Sequence, residues 1–575
     1  MKRYWKYIRP YIQYYILGPC FMMMEVVGDV LLPYMLAKII NQGIAERNVA
    51  YIIKIGAIMG LIAVIMAVGG VLGAWFASKA AMNFGADLRM DLFEKIQQFS
   101  FQNIDNFSTG SLITRLTNDI TQIQNMIMMT LRMCLRSPGI LIGAMVMAFV
   151  ISPKLAAIFI IVLPVLAVLI VVIMRRAFPQ FRTLQEKLDA LNSCIQEGLV
   201  GIRLIKSFVR GDYEEMRFEK RNQQIKEANL TAMKTMLLYT PLMTLALNIT
   251  TVVVVWSGGN MIVAGNMQVG DLTAFTNYIV QIMSSLTMLS IAFLNWARAI
   301  ASFRRVGEVL DEKIDLTDEN AKHKDRAVCE GSVEFQNVSF RYYKNSPEWV
   351  IENISFKLEA GKTLGIIGST GSGKSTLVSM IPRLYDTDEG TVLVDGINVR
   401  DYGLKPLREG IGMVLQNNTL FSGSITENLK WGDEHADEKA VRKAAQNAQA
   451  AGFIDSFKDG YRTRLEQSGN NVSGGQKQRL CIARALLKCP KILILDDSTS
   501  AVDTVTERAI REALHSEYKD MTKIIIAQRI RSVMDADEIL VLDNGKTAGF
   551  GTHEQLLADC PVYREIYDVQ NGREE

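Results

Sequence analysis

Lys374 and Ser375 close the stretch Gly368-Ser-Thr-Gly-Ser-Gly-Lys-Ser-Thr376, which satisfies G-x-x-x-x-G-K-[ST] at every fixed position. Residues of these types at this spacing serve phosphate chemistry. Gly368, Gly371 and Gly373 let the backbone curl so that successive N–H groups converge on anionic oxygens, with hydroxyl-bearing Ser369, Thr370 and Ser372 between them. Lys374 is suited to neutralise the β- and γ-phosphates of a nucleotide, and the Ser375 hydroxyl, followed by Thr376, to ligate Mg²⁺. A second oxygen ligand for the cation stands at Asp496, the last residue of Ile492-Leu-Ile-Leu-Asp496.

These groups need a strand before the loop and a helix after it. The apolar run Thr363–Ile367 predicts the strand, and the amphipathic run Leu377–Ile381 continues the helix whose positive end faces the phosphates. Ile492–Asp496 reads as a buried strand ending in its carboxylate, so the ligand is expected beyond the carboxyl end of a parallel sheet. From Ser332 onward short apolar strands alternate with helices, the pattern of an α/β domain. Upstream, Asp311-Glu-Lys-Ile-Asp-Leu-Thr-Asp-Glu-Asn320 is charged and polar, as in a linker. The expected division is 1–305, a linker at 306–330, and 331–575.

The first 300 residues have a different character. Across all 575 residues, 49% are hydrophobic and the mean hydropathy is +0.13, too apolar for an ordinary soluble protein. Six stretches approach the twenty or so residues that cross hydrocarbon: Ile16–Ile40, Ile52–Ser78, Met133–Ile151, Leu155–Met174, Leu237–Val263 and Leu272–Trp296. The first apolar run is too long for a cleavable signal peptide. Lysines and arginines crowd the connections 79–132 and 175–236, whereas the other three hold only Arg47 and Lys154. Both long connections and both termini are therefore expected in the cytosol. Met1–Tyr15, which mixes Lys2, Arg3, Lys6 and Arg9 with six aromatics, reads as a helix lying in the membrane interface. A proline-free run from Ile52 to Ser100 permits one helix of about 70 Å, far longer than the bilayer requires. Phe181–Thr235 reads the same way. Breaks at Phe107–Arg115 and Gly198–Gly211 suit short transverse helices.

Within the spans, Glu25 and Asp29 lie one helical turn apart, and ionisable groups in a membrane usually face an interior or a watery cavity. Both are candidates for lining a substrate pathway, with Asn248, Asn277, Gln281 and Asn295 as further polar groups. Met22–Met24, Met126, Met128, Met129 and Met133 offer an adaptable surface or simple packing. A net charge of +3 gives no indication of nucleic-acid binding. Seven scattered cysteines, none spaced C-x-x-C, imply neither a disulfide framework nor a zinc site.

Val472-Ser-Gly-Gly-Gln-Lys-Gln-Arg479 resembles the signature of ATP-binding cassette proteins. With six preceding spans, the full length looks like a half-transporter of the multidrug exporter type. Its implied fold is a six-span α-helical transmembrane domain with long cytosolic helix extensions, then an α/β phosphate-loop cassette. The resemblance implies ATP and Mg²⁺ as cofactors, a place in the cytoplasmic membrane among its lipids, and coupling helices at the two cytosolic breaks. It assigns Tyr342 to adenine stacking and Gln416 to joining Mg²⁺ with the membrane domain. Ser500–Asp503 would face the opposite nucleotide site. Ser473, Gly474, Gly475 and Gln476 would close over the γ-phosphate held by a second cassette, an anion site at a helix start.

Two positions depart from the family. Asp497 stands where the general base is glutamate, and Gln528 where a histidine contacts the γ-phosphate. Losing a methylene withdraws the base from the attacking water, and glutamine cannot carry an imidazolium charge. This combination resembles the degenerate-site subunit of bacterial heterodimeric exporters. The chain would bind ATP, hydrolyse it weakly or not at all, and lend an intact signature to a partner half-transporter that exports a small molecule, lipid or peptide. A slow homodimeric exporter and an ATP-gated channel or regulatory membrane subunit are the alternatives.

Overall fold

In a computed structural model, residues 2–344, 346–499 and 501–571 are described. Two compact units are present, Met1–Gln97 with Gly110–Asp311, and Gln98–Thr109 with Glu312–Glu575.

The first unit is helical. Among the described residues five helices are long and apolar enough to cross a membrane: Trp5–Ile44, Val49–Gln97, Thr109–Ile151, Pro153–Val200 and Gly211–Val263. The expected sixth span falls on the helix Val269–Asp311, where several side chains, that of Asn295 included, lie outside the described residues. A helix satisfies its own backbone polar groups, which hydrocarbon requires of any spanning segment. Lacking proline throughout, Val49–Gln97 runs unbroken for 49 residues. Pro153 opens its helix at the first turn, where the missing N–H costs nothing, and Ser152 caps it by accepting the Leu155 N–H at 3.5 Å.

Packing in this unit is dense. Phe159 and Phe275 stack at 5.3 Å in its core, and the buried Tyr278 hydroxyl donates to the Val30 carbonyl at 2.8 Å. Buried Asp119 accepts from Ser302 Oγ and Arg305 Nε, each at 2.8 Å. The N-terminal segment is helical at Trp5–Ile8 and packs within its own unit. Tyr7 is buried and donates to Asp91, to which Lys6 is also paired, while the Tyr4 hydroxyl donates to the Phe303 carbonyl. Its aromatic and basic residues thus bind the helix Val49–Gln97 and the last long helix.

The first short helix of the cytosolic breaks differs from expectation in its position. It forms at Phe101–Asp105, ahead of 107–115, because Ser100 caps it and Asn103 closes a reciprocal capping box. Thr109–Thr114 instead begins the returning helix. The second, Ile202–Ser207, lies within the expected Gly198–Gly211.

The second unit is built on a six-stranded sheet in the spatial order Lys546–Gly551, Glu538–Asp543, Thr363–Gly368, Thr522–Ile526, Ile492–Asp496, Ile411–Val414. Only the Lys546–Gly551 edge strand is antiparallel. The inner strands are covered on both faces and read as continuous apolar runs, as the buried parallel position demands. A four-stranded antiparallel sheet, ordered Ile351–Leu358, Val333–Phe340, Glu389–Val394, Ile397–Asn398, packs its apolar residues into a common core with the larger sheet. Phe335 and Phe356 stack at 4.7 Å in that core. Phe335→Ala should destabilise the cassette by about 3–5 kcal/mol, read as an earlier thermal transition of the full-length protein.

Candidate functional site

Parallel pairing brings the chemical residues to one edge. Ile526 pairs with Ile366 on one side and with Asp496 on the other, and Val414 pairs with Leu495. Ile366 and Asp496 therefore stand level on neighbouring-but-one strands, Gly368 ends its strand two residues further on, and Gln416 and Gln528 lie two residues past the ends of their own strands. Four segments distant in sequence converge at the carboxyl edge, where ligands of such sheets bind.

The phosphate loop leads from Thr363–Gly368 into the helix Lys374–Ser379. A Cβ at Gly368 would lie 2.1 Å from the Leu542 carbonyl oxygen, so the close strand approach demands glycine here. The Lys374 ammonium bonds the carbonyls of Gly368 and Ser369 at 2.9 and 2.6 Å and lies 3.4 Å from the buried Ser372 hydroxyl. Thr370 and Gly371 form the exposed crest of the loop. Burial lowers the Lys374 pKa, against the charges of Asp497 and Asp496. Ser375 Oγ donates to Asp496 Oδ1 at 2.9 Å, joining the hydroxyl and carboxylate proposed as metal ligands. Burial raises the Asp496 pKa and the Asp497 charge adds to it, while the Ser375 hydrogen bond and Lys374 oppose. A hydroxyl and a buried carboxylate within reach of each other form the oxygen set that a hard divalent cation takes. Gln416, two residues past its strand, is exposed.

Asp497 and Gln528 meet directly. Gln528 Nε2 donates to Asp497 Oδ2 at 2.8 Å. Asp497 has φ +47°, a left-handed conformation that aspartate tolerates better than most residues, and its N–H donates to the Ile526 carbonyl. Burial raises its pKa, opposed by the Gln528 bond and by Lys374 and Arg529.

The signature residues begin the helix Gly474–Leu487. Ser473 Oγ accepts the Gln476 N–H, and the Ser473 N–H donates to Gln476 Oε1 at 2.9 Å. This reciprocal cap leaves the N–H groups of Gly474 and Gly475, which a helix start cannot satisfy internally, at the front. A Cβ at Gly475 would come within 2.7 Å of the Ala501 carbonyl oxygen. Gln478 Oε1 accepts the Ala501 N–H, tying this helix to the loop after Asp497. Ser500 lies outside the described residues. Asp503 caps the next helix by accepting from the Thr506 N–H.

Tyr342 reaches the same neighbourhood. Its hydroxyl is 2.8 Å from Thr376 Oγ1, and its ring packs edge-on against Phe340 and Tyr385; Tyr343 is far more exposed. Tyr385 was not singled out from sequence, and no motif marks it. Its hydroxyl donates to Asp105 at 2.9 Å and its ring meets Phe101, so the short helix Phe101–Asp105 sits one aromatic ring from Tyr342. Asn103 adds a bond to the Lys313 carbonyl.

In the helical unit Glu25 and Asp29 share one partner, Arg136, whose Nη2 donates to Glu25 at 2.9 Å and Asp29 at 3.2 Å. Arg136 belongs to no motif, although a cation inside an apolar span is itself a signal. A cavity of about 340 Å³ lined by Met22, Glu25, Met128, Met129, Arg132 and Met133 adjoins the triad. Gln281 Nε2 donates to the Asp29 carbonyl; Asn277 Nδ2 donates to the Thr273 carbonyl one turn earlier in its own helix, and Asn248 is exposed.

A two-layered nucleotide cassette joined to long membrane helices defines a class of ATP-driven membrane machine. Residues 15–286 match the family model of the ABC transporter transmembrane region, and residues 351–500 that of the ABC transporter. The uncharacterized ABC transporter ATP-binding protein YfiB of Bacillus subtilis (strain 168) is 39% identical over 574 residues, covering 100% of this chain and 99% of YfiB. The similarly described Rv1273c of Mycobacterium tuberculosis (strain ATCC 25618 / H37Rv) is 37% identical, covering 98% and 97%. The putative multidrug export ATP-binding/permease protein YgaD of Bacillus subtilis (strain 168) is 34% identical, covering 99% of each. A solved bacterial Atm1-family ABC exporter with ATP bound superposes with a TM-score of 0.81 at 24% identity, covering 98% of both chains, and shares this fold. The chain belongs to the ABC transporters, a multi-pass membrane protein whose cassette binds ATP.

Because the Leu542 carbonyl leaves no room for a side chain, Gly368→Ala should displace the phosphate loop. Equilibrium binding of a fluorescent ATP analogue to the full-length protein is expected to weaken at least ~10-fold, each 1.4 kcal/mol of lost contact being tenfold.

Proposed function

We propose that this chain is one half of a heterodimeric exporter in the cytoplasmic membrane, both termini cytosolic. Residues 1–305 form the transmembrane domain, 306–330 the linker and 331–575 the nucleotide-binding domain. The observation that carries this reading is the hydrogen bond between Gln528 and Asp497. In a competent site these positions hold a base directed at water and a donor directed at the γ-phosphate; here their side chains engage each other. The shorter carboxylate and the neutral amide both weaken hydrolysis, and loss of a positioned base costs about 10²–10⁴ in rate.

The remaining residues support nucleotide binding. Lys374 and the loop Gly368–Gly373 hold the phosphates, Thr376 and Tyr342 flank the base side, and Tyr342 stacks on adenine. Ser375 and Asp496, with Gln416, would hold Mg²⁺, which when bound neutralises phosphate charge. Ser473 through Gln476, already ordered by their reciprocal cap, complete the site of a partner half-transporter. That partner supplies the glutamate and histidine. ATP binding closes the cassettes and hydrolysis at the partner's phosphate loop resets them. Glu25 and Asp29, held by Arg136, line the route of a small molecule, lipid or peptide; YgaD's described role favours the first of these.

The isolated chain should hydrolyse ATP slowly, and the double change Asp497→Glu, Gln528→His should raise its turnover by at least ~10-fold, within the range a positioned base contributes. Brisk turnover by the unmodified chain, lost on Asp497→Ala, would instead establish a homodimeric pump. Because burial raises the Asp496 pKa, acidification should protonate it above the ordinary carboxylate range. Mg²⁺-dependent ATP binding should accordingly decline at a pH higher than an exposed aspartate would dictate, and Asp496→Asn should abolish that pH dependence.

A further inference from the structure

The amino edge of the same parallel sheet carries a second cleft of different construction. Lys523 is second in Thr522–Ile526, with parallel neighbours at Thr363 and Leu493. Such a doubly covered position ordinarily holds an apolar residue. Lys523 is only 5% exposed, yet among the described residues its ammonium has no hydrogen-bond or ion-pair partner. Burial lowers its pKa, with the more distant charges of Asp537 and Asp520 opposing. Its ammonium is therefore free to meet an anion that enters the cleft on this side of the sheet.

Lys523 lines a cleft of about 610 Å³, within the size range of small-molecule sites. One wall is the helix Thr504–Glu517, which presents Arg508, Arg511 and Glu512 at helical spacing; the other is the segment from Arg531 to Asp535. Arg511 donates to the Arg531 carbonyl at 2.8 Å and pairs with Asp535 at 3.1 Å, but its Nε is buried without a partner. Four cations thus face two carboxylates, one of them already paired. Ile525 and Met534 add apolar surface beside the charges. Guanidinium forks flanking an ammonium match a phosphate better than a single carboxylate, and the apolar floor suits a ring or short chain attached to it.

We propose that this cleft binds a soluble phosphorylated small molecule of about nucleotide size, at the sheet edge opposite the ATP site. The inference rests on the cleft alone and is independent of how the hydrolytic site is shared. The probe is inorganic pyrophosphate, titrated calorimetrically into full-length protein carrying Lys374→Ala, which removes the phosphate loop as a competing site. One pyrophosphate site per chain is expected. Adding Lys523→Met should weaken it at least ~10-fold, the loss of about 1.4 kcal/mol. Arg508→Gln, on an exposed helix face where folding is not at stake, should weaken it measurably by itself. No binding to the Lys374→Ala protein, or binding indifferent to both substitutions, would overturn the proposal. So would selective capture of short-chain phosphatidic acid in place of pyrophosphate, since that would make the cleft a lipid-headgroup site.

Discussion

Everything chemical in the cassette depends on the hydrogen-bond register of one parallel sheet. Strands that run the same way and pair in step finish at the same height, so loops separated by more than a hundred residues must emerge together. Gly368, Asp496, Gln416 and Gln528 share an edge for that reason. The register also fixes what lies at the opposite edge, where Lys523, second in its strand, pairs with Thr363, the first residue of the neighbouring one. A slip of one residue would turn alternate side chains to the other face and dissolve both arrangements.

At the carboxyl edge, local satisfaction of polar groups distinguishes what is ready from what is not. Lys374 is held on its own loop, and Ser375 on Asp496, in positions from which each can turn to a phosphate or a cation. Asp497 and Gln528, by contrast, satisfy each other. The signature residues are arranged the other way: Ser473 and Gln476 spend their side chains on the helix start, so the adjoining glycine N–H groups face outward. One surface is suited to receiving a nucleotide and the other to covering one.

In the helical unit the dominant constraint is the cost of charge in hydrocarbon. Arg136 answers it by bridging Glu25 and Asp29 across two helices, which fixes their relative register more firmly than apolar contacts against lipid-like neighbours could. The methionines beside the triad supply deformable apolar lining. The short helix Phe101–Asp105 joins the cassette unit in the same economical manner, through a hydroxyl–carboxylate bond and a ring contact at Tyr385.

The sequence by itself determined the phosphate loop, the metal carboxylate, the signature and the helical, apolar character of the first half, because each rests on residues close together in the chain or on periodicity. It also exposed the substitutions at Asp497 and Gln528. It did not reveal that those two side chains bond each other, since they are 31 positions apart and only adjacent parallel strands bring them together. Arg136 was hidden inside a span whose average hydropathy outweighed one charge. Tyr385 and Lys523 belong to no local pattern; the first acquires its role from a segment 280 residues away, the second from being buried on a strand whose neighbours come from elsewhere in the chain. Short-range chemistry is written in sequence order, whereas the pairing and burial of single polar groups are decided only when distant segments pack.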